Sequence, residues 1–569
     1  MRGKIFPVLI ALVLMILIGG VAVTLWLKEK YSYGTEVMDL KAYFEVEEDR
    51  RLIEFDGERL PEKALYQDGI CYLNLSFVKS YLNDLFYFDR EEKTVLYTDA
   101  LGTFEAVPGE SGYRQYGDEK PFEGQVCFMK GESLYLAVPF VAMLSDFEYK
   151  ANEYLLKITT KWDPYQTVVV LKDTKIRYLG GIKSEILCDA SQGEELRLLE
   201  QMETWCKVEN EDGIIGYVEN KVVSDEITTT PQKSTAERQY TAPEYTTHKL
   251  REKVCLGFHA IGGVGGNSTL EEMVLNAEGM NVIAPTWFSL NDNEGGFRSF
   301  GDASYVTRAH KYGLKVWGVL DDFNYENETG ENIDDTKIFS NRKIRSRLID
   351  GLIGKATEFG LDGINLDIEK LSSDGGEAFG QFLRELSVEC RKNNISLSMD
   401  DYMPNDSNRY YHLDVQGQVM DYVILMGYDE HWHGSKNPGS VASIGFISDG
   451  ITRALKDVPA DKLINALPFY TILWKVDGSS VEDEYLTLVN QPGFIARIGK
   501  DPIWDENTCQ NYLEWTEGTK TYKIWFEDLD SISVKLNVMS AKELAGVAAW
   551  RLGYGTQEVW TLLAAFKLL

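Results

Sequence analysis

The stretch Leu361-Asp362-Gly363-Ile364-Asn365-Leu366-Asp367-Ile368-Glu369-Lys370 decides the reading of the chain. Apolar residues alternate along it with acids and an amide, at the period of two that marks a β-strand. Ile364, Leu366 and Ile368 take one face, and Asn365, Asp367 and Glu369 take the other. Three hydrogen-bonding side chains in a row on a strand otherwise fit for burial are costly to desolvate unless they are paired or working. The row is therefore a candidate site. A carboxyl flanked two residues away by another should hold its proton more tightly, because both resist ionising together in a partly dry cleft. Glu369, last in the row and nearest the strand's C-terminal end, suits a general acid.

Around this strand, from Lys253 to Leu569, strands and helical runs alternate as in a parallel α/β domain. The expected strands are Val254 to Ala260, Asn281 to Phe288, Leu314 to Leu320, Gly363 to Glu369, Ile395 to Met399, Tyr422 to Tyr428, Leu463 to Phe469 and Gly546 to Trp550. Eight such units predict a TIM (β/α)8 barrel over residues 253–569, whose chemistry sits at the C-terminal ends of the strands. The stretch Lys475 to Glu543, with a strand at Thr521 to Trp525, reads as an α+β insertion between strands seven and eight.

The spacing Asp362, Asn365, Asp367, Glu369 resembles the catalytic strand of family 18 glycoside hydrolases, Asp-x-x-Asp-x-Asp-x-Glu, at the end of the fourth barrel strand. Asn365 stands where the commonest pattern has Asp, a variant associated with the branch directed at spore cortex and peptidoglycan. Past strand six, Leu425-Met426-Gly427-Tyr428-Asp429 resembles the family's Met-x-Tyr-Asp signature, and Trp550 matches its tryptophan at the end of strand eight. The resemblance implies catalytic roles for Glu369, Asp367 and Tyr428, and substrate binding by Asn365, Asp362, Met426, Asp429, Trp550 and Tyr470. Trp474, Trp287, Asp321 and Asp322 are weaker cleft candidates. Ordinary retaining or inverting glycosidases place two carboxyls on opposite sides of the scissile bond. Asp367 and Glu369 are neighbours on one strand, so the nucleophile is expected to be the substrate's own 2-acetamido oxygen. Glu369 would then serve as acid and base, Asp367 would orient the acetamido group, and Tyr428 would bond its carbonyl. Asn365 is expected to donate to Asp367 and keep it charged over a wider pH range. A glycan-binding protein with a weak or lost activity is the alternative, and the presence of Glu369 speaks against it.

The N-terminal half is modular. Ile5 to Leu27 carries no charge and follows Arg2 and Lys4; it reads as a transmembrane signal anchor over residues 1–30, in preference to a cleaved signal, with the remainder exported. In residues 36–165, Tyr72-Leu73-Asn74-Leu75-Ser76-Phe77-Val78 returns 63 positions later as Tyr135-Leu136-Ala137-Val138-Pro139-Phe140-Val141, which predicts a duplicated α+β unit. This module resembles the N-terminal domain of copper amine oxidases, without a copper-ligand set. Residues 172–225 resemble a bacterial SH3-like β-barrel, through Trp205-Cys206-Lys207-Val208 and Gly213-Ile214-Ile215-Gly216-Tyr217-Val218, and imply a grip on cell-wall peptides. Residues 226–252, rich in Thr, Pro and Ser, read as a linker. The formal net charge of -31 excludes nucleic acid as a partner. The seven cysteines lack C-x-x-C spacing and there is no H-E-x-x-H, so no metal or cofactor is expected. Cys188 and Cys206 are close enough in sequence to bridge, though nothing demands it. The partners expected are a peptidoglycan or chitin-type glycan containing N-acetylglucosamine, and a membrane.

Overall fold

The computed structural model describes residues 5–233, 240–323 and 332–567. Arg2 and Lys4, residues 234–239 of the expected linker, and residues 324–331 and 568–569 of the expected barrel domain lie outside the described residues. All eight expected strands are present: β1 (Val254–His259), β2 (Val282–Pro285), β3 (Lys315–Asp321), β4 (Gly363–Asp367), β5 (Ser396–Tyr402), β6 (Tyr422–Met426), β7 (Leu463–Pro468) and β8 (Gly546–Trp550). They pair in parallel in the order β2-β1-β8-β7-β6-β5-β4-β3, and β2 pairs back to β3 to close the ring.

The period of two sorts each strand into an inner and an outer face. Leu256, Phe258, Val319, Ile424, Ala466 and Ala548 fill the barrel. Ile364, Leu366 and Ile368 pack outward with residues of the helices. Asn365 lies opposite Val319 on one side and Ser398 on the other, so the polar face of β4 points inward.

Two helices flank β4, namely α1 (Arg342–Phe359) and α2 (Gly376–Lys392). Asn341 starts α1 by accepting from the backbone N–H of Lys343 and Ile344 at 3.0 and 3.3 Å, and Gly360 ends it in the left-handed region at φ 74°. On these helices packs an antiparallel sheet whose residues 85–107 and 113–120 belong to the same compact unit as the barrel. Its Tyr87 and Leu96 join the barrel's apolar core. Arg345 of α1, fully buried, meets Asp89 of the sheet at 3.4 Å and Glu385 of α2 at 3.0 Å. The backbone N–H of Arg342 also donates to Asp89 at 2.9 Å, and Gln381 Nε2 donates to Thr98 Oγ1 at 2.8 Å.

The insertion after β7 is a five-stranded antiparallel sheet that begins at Tyr470, ahead of the expected Lys475. Its apolar first strand is continuous in sequence with β7, which concealed the junction. Trp474 is fully buried there and donates from Nε1 to the Gly439 carbonyl at 2.8 Å, so it is a core residue and not part of a cleft. Trp287 is likewise buried, with its Nε1 on Asn267 Oδ1 at 2.8 Å.

In the other compact unit, the two repeat copies give strands Ile70–Asn74 and Ser133–Ala137, each followed at once by a helix, and the strands pair antiparallel with Leu73 opposite Leu136. The SH3-like segment forms its own sheet from Tyr165–Val169 to Ile227–Thr229, closed over Val168, Ile176, Leu196, Val208 and Val218. The seven cysteines are free thiols. The N-terminal helix Ile5–Tyr31 is long and apolar enough to cross a membrane.

Candidate active site

The inner face of the barrel carries a band of carboxyls at the C-terminal end of the strands. Asp321 on β3 lies opposite Asp367 on β4, and Leu366 lies opposite Met399 on β5. Asp367 and Asp400 are both buried. Burial first, and then the charges of Asp400 and Glu369, hold the Asp367 carboxyl well above the usual carboxylate range. Its Oδ1 has no hydrogen-bond partner among the described residues.

Glu369 stands just past the end of β4, half-buried. Burial raises its pKa, and the carboxylates of Asp322, Asp429 and Asp321 add to the rise; a hydrogen bond from the Tyr402 hydroxyl to Glu369 Oε2 opposes it. The side chain is thus disposed to hold a proton that it can give away, as a general acid must.

The Asn365 amide does not reach Asp367. Its Nδ2 donates to Ser398 Oγ at 3.0 Å and to Asp400 Oδ1 at 2.9 Å. The expectation that Asn365 keeps Asp367 charged is therefore corrected. Inward side chains on one strand are separated along the strand, whereas those on the adjacent strand are within bonding reach.

Asp362, assigned with the same motif, is not in the site. It precedes β4 at the opposite end of the barrel, where it accepts from His310 Nε2 and Lys315 Nζ at 2.8 Å each, and from the Val316 backbone at 2.9 Å. It ties the entrance of β4 to that of β3 and has no access to a substrate at the other end.

Tyr428, Asp429, Tyr470 and Trp550 converge with the acids. Gly427 makes the approach possible, since a Cβ there would come within 2.5 Å of the Ala466 carbonyl oxygen. Tyr428 feels the charges of Asp400, Asp367, Asp429 and Glu369 in addition to its burial, and its phenol is held well above the usual range, hence fully protonated. Asp429 adopts φ 60°, an uncommon conformation for a non-glycine residue, and accepts from Tyr470 Oη at 2.6 Å. Trp550 packs on Phe258 with ring centroids 5.5 Å apart, and both it and Tyr428 pack against the apolar cluster inside the barrel. Met426 is buried at the end of β6 and shapes the wall.

Sequence reasoning singled out Asp322 but missed Asp400, Tyr402 and Asp335. Strand five was expected to stop at Met399, but it runs on to Tyr402; the signal was the Asp400-Asp401-Tyr402 that follows directly. Asp322, buried, accepts from the Lys370 backbone at 2.6 Å. Burial and the adjacent Asp322 push Asp335 up to about 8.

Residues 330–555 match the model of the family Glycosyl hydrolases family 18, and residues 180–224 match that of the Bacterial SH3 domain. The glycosylase YvbX of Bacillus subtilis, itself uncharacterized, is 27% identical over 295 residues, covering 49% of this chain and 83% of that protein. The cortical fragment-lytic enzyme of Bacillus subtilis is 26% identical over 251 residues, and this chain spans 58% of its length. Among solved structures, the spore cortex-lytic enzyme SleL of Bacillus cereus superposes with a TM-score of 0.50 at 19% identity, over 59% of this chain and 78% of that one, a likeness of fold.

Proposed function

We propose that this glycoside hydrolase, whose residues 330–555 match the model of Glycosyl hydrolases family 18, cleaves β-N-acetylglucosaminyl linkages in peptidoglycan by a substrate-assisted, retaining route. The observation that carries this reading is the placement of the acids. Glu369 stands at the mouth with its pKa raised by burial, and Asp367 lies buried beside it along the same strand rather than across a cleft. Glu369 gives its proton to the leaving oxygen while the substrate's acetamido oxygen attacks the anomeric carbon. Asp367 faces the acetamido N–H, and the protonated Tyr428 hydroxyl donates to the acetamido oxygen. Water then attacks the same carbon and returns a proton to Glu369. Trp550 offers the sugar ring an aromatic face.

Peptidoglycan is preferred to chitin because of the cortex-lytic relatives and the SH3-like module. In that module a cavity of about 640 Å³ is lined by Trp205 together with Lys175, Arg177, Asp189 and Glu219, a mixture of charges that suits a short wall peptide carrying both amine and carboxylate groups. The helix Ile5–Tyr31 would hold the exported part at the membrane. The part of residues 36–165 outside 85–107 and 113–120 would serve as a non-catalytic spacer of the copper amine oxidase N-terminal kind.

Glu369→Gln preserves shape and removes the acid, so turnover of purified peptidoglycan should fall by about 10²-fold or more, read by mass spectrometry of released fragments. Undiminished release would end the assignment of Glu369. A thiazoline analogue of N-acetylglucosamine should inhibit the wild type; cleavage that proceeds without any binding of the analogue would rule out the neighbouring-group route.

A further inference from the structure

The second carboxyl of this site stands on a different strand from the one the motif points to. On β4 the position two residues before Asp367 is an amide, Asn365, which cannot share a proton with it. On β5, continuing the register of Leu366 opposite Met399 by one residue sets Asp400 beside Asp367. Paired strands run about 4.8 Å apart and paired residues in a parallel sheet face the same side. The inward face of Asp400 is independently fixed by the hydrogen bond from Asn365 Nδ2 to its Oδ1 at 2.9 Å. Asp400 and Asp367 are 4% and 8% exposed, too dry for two adjacent charges.

The two carboxyls are not equivalent. Asp400 accepts a hydrogen bond from the Asn365 amide, which favours its ionised form. Asp367 Oδ1 has no hydrogen-bond partner among the described residues. We infer that Asp400 is the positioning carboxylate of this site: it carries the resting charge of the pair while Asp367 holds the shared proton, and it takes that proton when Asp367 must bear the charge. The inference rests on the substrate-assisted reading above.

The transfer balances within the pair. As the acetamido oxygen bonds to the anomeric carbon and the glycosidic C–O bond breaks, the Glu369 proton goes to the leaving oxygen. The Asp367 proton moves to Asp400, leaving Asp367 as the carboxylate that faces the cationic ring nitrogen's N–H. Hydrolysis of the ring reverses the shift, and the pair keeps one negative charge throughout.

Other groups bear on Asp400 from every side. Asp321 and Asp322 bear on the pair from the end of β3, Glu369 from just past β4, Tyr402 from its own strand, and Tyr428 and Asp429 from just past β6, while Asp401, turned outward to Gln416, adds its charge from the other face of β5. All are acids or phenols, so each added charge makes a doubly ionised pair harder to reach.

The test is the pH dependence of kcat/KM for the full chain in detergent, on soluble glycan fragments of purified peptidoglycan, for three proteins. In Asp400→Asn the amide oxygen still accepts from Asn365, so folding is spared, but Asp367 must ionise alone without a proton acceptor. The acidic limb should move up by about one pH unit, a tenfold loss at a fixed pH below it. Asn365→Ala keeps Asp400 but removes its hydrogen-bond donor, so the resting charge on Asp400 is less favoured and the limb should move in the same direction. A profile of Asp400→Asn that superimposes on the wild type overturns the inference. So does a folded Asn365→Ala variant whose limb stays at the wild-type position. Glu369→Gln is assayed alongside: if it remains active, the glycosidase reading has failed at Glu369, whatever Asp400 does.

Discussion

Tyr402 shows how a single side chain tunes the acid. Its hydroxyl donates to Glu369 and so favours the carboxylate, against burial and the neighbouring acids that favour the neutral form. In Tyr402→Phe that lowering influence is gone, and the Glu369 pKa rises further. The general acid works protonated, so its activity is lost as pH climbs through that pKa; the alkaline limb of kcat/KM should therefore move up, by about one pH unit. A limb unmoved or moved down would mean that Tyr402 does not govern this proton. The inward row Asn365, Asp367, Glu369 was legible in the sequence because a strand's two faces follow from its period alone. Asp400 and Tyr402 were not, because they meet the row across the sheet, through a register that no local pattern encodes. Asp362 was misplaced for a related reason: the strand has two ends, and a motif that spans them joins a residue of the chemistry to one of the scaffold.

At the scale of elements, the eight strands could be read because each is an apolar run of strand length bounded by turn or helix signals. The attachment of residues 85–107 to α1 and α2 could not, since that segment reads as one more part of the N-terminal repeat. What fixes it is a buried arginine with two carboxylates, Asp89 and Glu385. Removing one member of such a group leaves the others charged and dry, which costs about 3–5 kcal/mol. Arg345→Ala should lower the barrel's unfolding free energy by that amount in denaturant titration, while Arg342→Ala, at a pair with Glu105 that keeps some access to solvent, should cost less. Equal effects of the two would show that the arrangement of charges at Arg345 has no special weight.

For the whole molecule, composition already gave the excess of acid and the apolar N-terminal run. Removing residues 1–31 should move the protein from the membrane to the soluble fraction on cell fractionation and leave turnover of soluble glycan unchanged, because the barrel has its own core. The band of acids at the barrel's mouth has a further consequence, for encounter rather than chemistry. A formal charge of -31 surrounding a cleft edged by Asp321, Asp322, Asp429 and Glu369 repels any glycan strand whose side peptides end in carboxylates. Such repulsion reaches about 10 Å in 0.1 M salt and only about 3 Å in 1 M. Raising the ionic strength should accordingly speed capture of peptide-bearing glycan and leave neutral N-acetylglucosamine oligomers unaffected, so that this enzyme's choice among wall polymers is set in part by the salt around it.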